Sequence, residues 1–274
     1  MIRLCMNCDI VFTTGSGDKR RALLTRGIDT SCDCGIEIGA LNNPIIKPED
    51  GNVKFVDYTT TEMLQSYPHA ETVKKNEIVE VDYVWSGSGS LAKVVEQQRC
   101  FDYAIASHVI EHVPNVLGWF QGIAEVLKDG GVFNLAIPDR RFTFDVARKD
   151  STLGEAIEAY LMSYKFPSIR QEFDHCYEAL AVEPGSIWQK AGNFHEYSRY
   201  SGNVALQLAF DQAQQILAHG RYYDCHCWVF TPLSFIRMLQ GATQLGIFPF
   251  TLSSLFRFSH GCFMRSLLSF LTAA

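Results

Sequence analysis

Apolar and polar positions come in a repeating block between residues 35 and 140. Short apolar runs end in polar or acidic residues, and amphipathic or loop-forming stretches separate them. The runs are Gly35–Ile38, Val53–Val56, Ile78–Val81, Phe101–Ala106 and Val132–Ile137. Each has the length and β-leaning composition of a buried strand. Their ends read Glu37-Ile38-Gly39-Ala40, Asp57-Tyr58, Asp82-Tyr83, Ser107-His108 and Pro138-Asp139-Arg140-Arg141. Helical patterns lie between them. A polar start at Thr59–Glu62 opens one, and the Ser86–Ser90 turn precedes another over Leu91–Gln98. The longest follows Pro114, with apolar Val116, Leu117, Phe120, Ile123, Ala124 and Leu127, and stops at Asp129-Gly130-Gly131. Strands alternating with helices predict right-handed crossovers and a mostly parallel, doubly wound sheet of the α/β class. The first crossover departs from this rule: Pro44, Pro48 and Gly51 leave no room for a regular helix over Leu41–Asn52, so a loop is expected.

The pattern changes after Phe142. Residues 142–222 are helical but irregular, with a capping box at Thr152 and Glu155 opening a helix through Tyr164, and Asn203 able to cap another through His219. This block is expected to be a helical insertion over the sheet edge, forming a substrate lid. Thr231-Pro232 opens a helix to about Gln244. Two apolar runs, Phe248–Phe258 and Cys262–Phe270, close the chain as an antiparallel C-terminal hairpin around His260-Gly261. Residues 1–30 read as an N-terminal appendage with a short helix over Lys19–Arg26, leaving 31–141 and 223–274 as the core.

Composition narrows the function classes. The 274 residues carry a net charge of −6, and no long Lys/Arg run is present, which disfavours a nucleic-acid backbone partner. No stretch reaches a membrane span of roughly 18 apolar residues. Met1–Asp9 holds one Arg and a broken apolar run, so no secretory leader is expected. Nine scattered cysteines in a chain of this size suggest reduced thiols and a cytoplasmic location. Cys5-x-x-Cys8 with Cys32-x-Cys34 offers four thiolates for zinc, but one intervening residue in the second pair is fewer than structural zinc sites use. Ordinary buried thiols are the competing reading.

The segment Phe101-Asp102-Tyr103-Ala104-Ile105-Ala106-Ser107-His108-Val109-Ile110-Glu111-His112-Val113 resembles the fourth-strand motif of class I S-adenosylmethionine-dependent methyltransferases, in the small-molecule branch that includes the ubiquinone-biosynthesis enzymes. Leu127-Lys128-Asp129-Gly130-Gly131 is similar to that family's turn before the fifth strand. Ile137–Asp145 and His226–Pro232 are similar to bacterial methyltransferases associated with glycosyltransferases and surface-polysaccharide assembly. The resemblance implies a seven-stranded Rossmann-like sheet, S-adenosylmethionine as cofactor, a small-molecule or glycan acceptor and a glycosyltransferase partner. It places Glu37, Gly39 and Ala40 at the methionine end of the cofactor. Asp57 and Tyr58 then lie at the ribose, Asp82 and Tyr83 at the adenine, and Ser107 and His108 beside them. The first loop departs from the family pattern, since Gly39-Ala40-Leu41-Asn42-Asn43-Pro44 lacks a second glycine. That loss excludes a pyrophosphate cradle more firmly than a methyltransferase site, because S-adenosylmethionine has no phosphate to bind.

For a hydroxyl acceptor a general base helps, and His108, His112, His195 and His226 are the candidates. O-methylation is the expected reaction. His108, Glu111 and His112 share one helical face at i, i+3, i+4, a spacing that also suits a metal. It matches the H-x-x-E-H of inverted zinc peptidases and resembles the E-x-x-E-H ligands of some class I methyltransferases. Pro114 ends the segment after one turn, which argues against the peptidase. Two rivals remain at this level: a cofactor-binding module without catalysis, and a metal-dependent hydrolase built on those three residues. The acceptor pocket is expected from the insertion, where Arg221–Trp228 suits a sugar or a phosphorylated glycan. A Tyr and Trp core strand is the alternative reading of the same stretch.

Overall fold

The computed structural model describes residues 10–13, 17–67, 73–182, 187, 197–220, 222–258 and 265–272. Among the described residues eight strands form one sheet: β1 (Ile10–Thr13), β2 (Cys34–Ile38), β3 (Asn52–Asp57), β4 (Tyr83–Val84), β5 (Phe101–Ser107), β6 (Leu127–Pro138), β7 (Phe250–Phe258) and β8 (Arg265–Thr272). Their order is β1-β7-β8-β6-β5-β2-β3-β4. Strands β2 to β6 run parallel, and β8 is antiparallel to both β6 and β7. The seven strands from β2 onward are the expected Rossmann-like sheet with its antiparallel pair. Strand β1 adds an eighth, parallel to β7 at the outer edge.

Both faces of the sheet are covered, and the period-2 alternation shows in the central strand. Ala104 and Ala106 of β5 join one hydrophobic cluster, while Tyr103 and Ile105 join the other. A strand buried on both sides has no polar face, so Phe101–Ala106 reads as an apolar run broken only by Asp102, which pairs with Lys128 near the strand's start. Helix α4 (Val116–Val126) begins where the Asn115 side chain accepts from the Gly118 N–H. Its Phe120 is fully buried among the rings of Phe133, Phe248, Phe250 and Phe270, with centroids 5.0–6.2 Å away. Burying each such side chain stabilises the fold by about 1.5–3 kcal/mol. On the opposite face α1 (Gly17–Leu24) packs Leu24, fully buried, and Asn134 of β6 donates to the carbonyls of Leu24 and Arg26.

Several elements differ from expectation. The third strand is not Ile78–Val81 but Tyr83–Val84. The carboxylate of Asp82 accepts from the Phe55 N–H, and its own N–H donates to the Phe55 carbonyl. A side chain thus takes the place of a ladder partner, and strand pairing starts only beyond it. Helix α4 stops at Val126, because residues 127–131 already belong to β6 as an irregular start against Phe101. Helix α3 (Leu91–Val95) ends early at Glu96, which adopts φ +61°. The loop predicted for 41–52 is present, and the Glu37 carboxylate holds it by accepting from the N–H groups of Ile45 and Ile46.

Between β3 and β4 lies α2 (Thr61–Ser66). After β6 come α5 (Leu153–Leu161), capped by the expected box at Thr152 and Glu155, α6 (Ile169–Glu178), and α7 (Ala205–His219). Asn203 does not cap α7; it lies inside a short 3₁₀ turn, Gly202–Val204, that runs into the helix. Helix α8 (Pro232–Gln244) starts and stops as predicted, with Thr231 as its cap. The His260-Gly261 turn, Cys5 and Cys8 lie outside the described residues; Cys32 and Cys34 are free thiols. Among the described residues no helix is long and apolar enough to cross a membrane.

Candidate active site

Parallel strands end together, so their carboxyl tips and the loops beyond them share one edge of the sheet, where open α/β sheets bind ligands. A cleft of about 330 Å³ opens there, within the usual range of small-molecule sites of about 300–1,000 Å³. Its floor is Ile38 and Gly39 at the tip of β2 and Asp57, Tyr58 and Thr59 beyond β3. Trp85, Ser86 and Gly87 beyond β4 and Val109, His112, Val113 and Pro114 beyond β5 complete it. Lys165, Phe166 and Tyr222, from later in the chain, also line it.

Of the residues proposed from sequence, Gly39, Asp57, Tyr58 and His112 line this cleft. Glu37, Ala40, Asp82, Tyr83, Ser107, His108, Glu111 and His226 do not. The buried Glu37 carboxylate is turned to the 45–46 loop, and burial pushes it up to about 7 against the two N–H donors that favour its charged form. Asp82 pairs with Lys54 as well as with Phe55, on the flank of β3. Ser107 accepts from Arg20 of α1. His195 lies outside the described residues. The third strand tip supplies Trp85 to Gly87 instead of Asp82 and Tyr83, a shift that follows from the displaced strand. Lys165 and Phe166 were missed, and no motif flags them: they stand in a short connection before Pro167. Tyr67 was missed too. Its ring is parallel to that of Tyr58 at 6.4 Å, and Tyr58 stacks in turn on Tyr222 at 5.9 Å.

Beyond β5 the chain turns sharply. His108 has φ +61°, in the left-handed region that side-chain-bearing residues rarely enter, and its Nδ1 lies 3.3 Å from Glu111. A 3₁₀ turn over Ile110–His112 follows. Against it lies the extended segment 222–230. The Cys227 N–H donates to the Glu111 carbonyl at 2.6 Å and the Trp228 indole to the Val113 carbonyl at 2.5 Å. This brings His226 to His112, with ring centroids 4.8 Å apart. Nδ1 of His112 lies 2.8 Å from Asp224, and Nδ1 of His226 lies 2.5 Å from Asp145, which Arg148 also holds. Burial disfavours charge on His112, but the hydrogen bond and charge of Asp224, joined by Glu111, outweigh it and push the ring up to about 9. Burial and the neighbouring His226 hold His175 down to about 4. Burial also opposes charge on Asp145, yet His226 and Arg148 carry it well below the usual carboxylate range.

The cleft fits S-adenosylmethionine. Asp57, 7% exposed, lies at the tip of β3; its Oδ1 accepts from the Tyr58 N–H at 2.8 Å, and its carboxylate lines the cleft where a ribose hydroxyl can donate to it. Gly39 has φ +67°, and a Cβ there would stand 2.6 Å from Val109, so only glycine leaves backbone exposed at the tip of β2. The aromatic wall of Trp85, Tyr58 and Tyr222 suits a flat heterocycle.

A family described as a methyltransferase domain matches residues 25–242, more than half of the chain. No curated protein matches. Solved structures similar to this chain include an S-adenosylmethionine-dependent methyltransferase from Mesorhizobium loti, 12% identical, covering 91% of this chain and 95% of that one at a TM-score of 0.44. The 1,6-didemethyltoxoflavin-N1-methyltransferase of Burkholderia thailandensis is 12% identical, covering 93% and 77%, at 0.46. A methyltransferase from Methanosarcina mazei is 12% identical, covering 88% and 92%, at 0.42. By the family match the chain belongs to the methyltransferase-domain family, and it is a class I S-adenosylmethionine-dependent methyltransferase.

Proposed function

We propose that the protein methylates an oxygen of a small-molecule or glycan acceptor held in the cleft between the strand tips and the 165–166 and 222–226 segments. The observation that carries this reading is the mixed lining of the cleft: Gly39, Asp57, Trp85 and His112 from the strand tips, together with Lys165, Phe166 and Tyr222 from later in the chain. The sheet edge takes the nucleoside and amino-acid parts of the cofactor, with Asp57 on the ribose. Lys165, Phe166 and Tyr222 take the acceptor. S-adenosylmethionine would supply a sulfonium methyl carbon open to in-line attack by a hydroxyl oxygen; the carbon–sulfur bond would break to leave S-adenosylhomocysteine, and the hydroxyl proton would be released to solvent.

The chain's own contribution is orientation and exclusion of water. Tyr58 and Tyr222, stacked at 5.9 Å, both line the cleft and offer a flat aromatic surface there. Lys165 adds a positive charge to the acceptor side and Phe166 an apolar one, which favours acceptors that combine an anionic or polar group with a ring face. Residues 142–222 act as the lid that supplies these groups. Neither the non-catalytic module nor the hydrolase is favoured.

The test is transfer of labelled methyl groups from S-adenosylmethionine to fractionated small-molecule and glycan extracts, with the product linkage analysed. The expected product is an alkali-stable methyl ether in a fraction that the Asp57→Ala variant does not label. Label found only in amine or carbon linkages would overturn the oxygen assignment.

A further inference from the structure

We infer that Glu111, His112 and His226 form a binding site for one divalent first-row transition cation on the acceptor side of the cleft. One potential ligand atom from each residue lies within 4.8 Å of the other two. The three come from different places in the chain: Glu111 and His112 from the turn beyond β5, His226 from the segment before α8. The main-chain bond from Cys227 to Glu111 fixes the two pieces against each other, so the cluster is part of the fold's framework.

Two further observations point to a missing ligand at this spot. Glu111 is 2% exposed, and among the described residues its Oε2 has no hydrogen-bond partner. A buried carboxylate oxygen without a donor is costly, by about 1–3 kcal/mol or more, and a cation is the simplest group to satisfy it. The second is the outer ring of carboxylates. Asp224 holds Nδ1 of His112 and Asp145 holds Nδ1 of His226, which leaves Nε2 of each ring as the ligating nitrogen. Carboxylates gripping the far nitrogen of each histidine are the usual support of metal-bound imidazoles. Arg148, bonded to both Asp145 and the His226 carbonyl, fixes that arrangement further.

The donor set selects the cation. Two imidazoles and one carboxylate suit zinc, manganese or iron(II), whereas calcium and magnesium prefer all-oxygen sites. Three protein ligands leave at least one coordination position open. Because His112 also lines the cleft, that position adjoins the acceptor, and an acceptor hydroxyl can fill it. This role rests on the oxygen-methylation reading. His108, grouped with Glu111 and His112 by sequence spacing, is replaced in the set by His226, which no local spacing connects to the turn.

The test is cobalt(II) titration of chelator-treated full-length protein, followed by visible absorption. The expected result is one equivalent of bound cobalt with ligand-field bands, displaced by zinc and not by magnesium. His226→Gln and Glu111→Gln should each weaken cobalt binding at least tenfold, with far-UV circular dichroism confirming that the variant is folded. Two variants are used so that loss of fold in one still leaves a reading. Absence of bands from the folded wild-type protein would overturn the site, as would undiminished bands in a folded variant. S-adenosylhomocysteine affinity, measured on the same metal-free protein, decides the cofactor reading separately.

Discussion

Glu37 is an acid buried for the sake of a loop. Its carboxylate satisfies the amides of Ile45 and Ile46 but is pushed up to about 7, against 4.5 when free. Between those two values the folded state holds a proton that the unfolded chain has released. Stability therefore falls as pH rises from about 4.5 to 7, by on the order of 3 kcal/mol for this group alone. Glu37→Gln should flatten that part of the profile, read as a smaller difference in urea midpoint between pH 5 and pH 8 than in the wild type. Gly39, two residues on, is held by a positive φ and by Val109. Gly39→Ala should cost about 1–3 kcal/mol in urea denaturation, and Val109→Ala in the same chain should restore part of it by removing the clash, not the strained φ. Sequence placed Glu37, Asp57 and Asp82 alike, as acids at strand ends. It could not say which of them would be turned to backbone amides. That choice depends on whether a neighbouring segment leaves donors unpaired, as the 45–46 loop does for Glu37 and Phe55 does for Asp82. Asp57 accepts from the amide of the next residue, Tyr58, and so still reaches the cleft.

Among the elements, the ones with strong internal signals were legible: β5 from its apolar run, α8 from Thr231-Pro232, α5 from its capping box. The element that moved was the third strand, because a two-residue strand has no periodicity to read and Ile78–Val81 looked better on composition. Its displacement puts Trp85 in the cleft, where the indole rests on Gly122 of α4. A Cβ on Gly122 would stand 2.5 Å from the indole. Gly122→Ala should therefore push Trp85 toward the cleft, lowering stability by about 1–3 kcal/mol and weakening cofactor binding together. Thermal melting with and without S-adenosylhomocysteine checks this: a smaller ligand-induced rise in Tm is expected, and an unchanged rise would contradict the placement of Trp85 against the cofactor.

For the whole molecule, the strand tips line the cleft together with Lys165, Phe166 and Tyr222, and a buried charge cluster lies behind His226. Asp145 and Arg148, 2% and 4% exposed, bind each other and His226. Arg148→Met leaves the Asp145 carboxylate with one partner fewer in a site of low polarity, so a loss of about 3–5 kcal/mol is expected in urea denaturation. The long-range partnership of His112 and His226 was not readable from sequence, since 113 positions separate neighbours that only the folded chain brings into contact. The fold class and the strand-tip location were readable, because they follow from order and periodicity. The account's central claim is that this edge binds S-adenosylmethionine through Asp57. Isothermal titration calorimetry of the full chain with S-adenosylhomocysteine tests it most directly. One saturable site is predicted, weakened by about 1.5–3 kcal/mol, roughly 10- to 150-fold, in Asp57→Ala. No binding to the wild-type chain, or equal affinity in the variant, would contradict it.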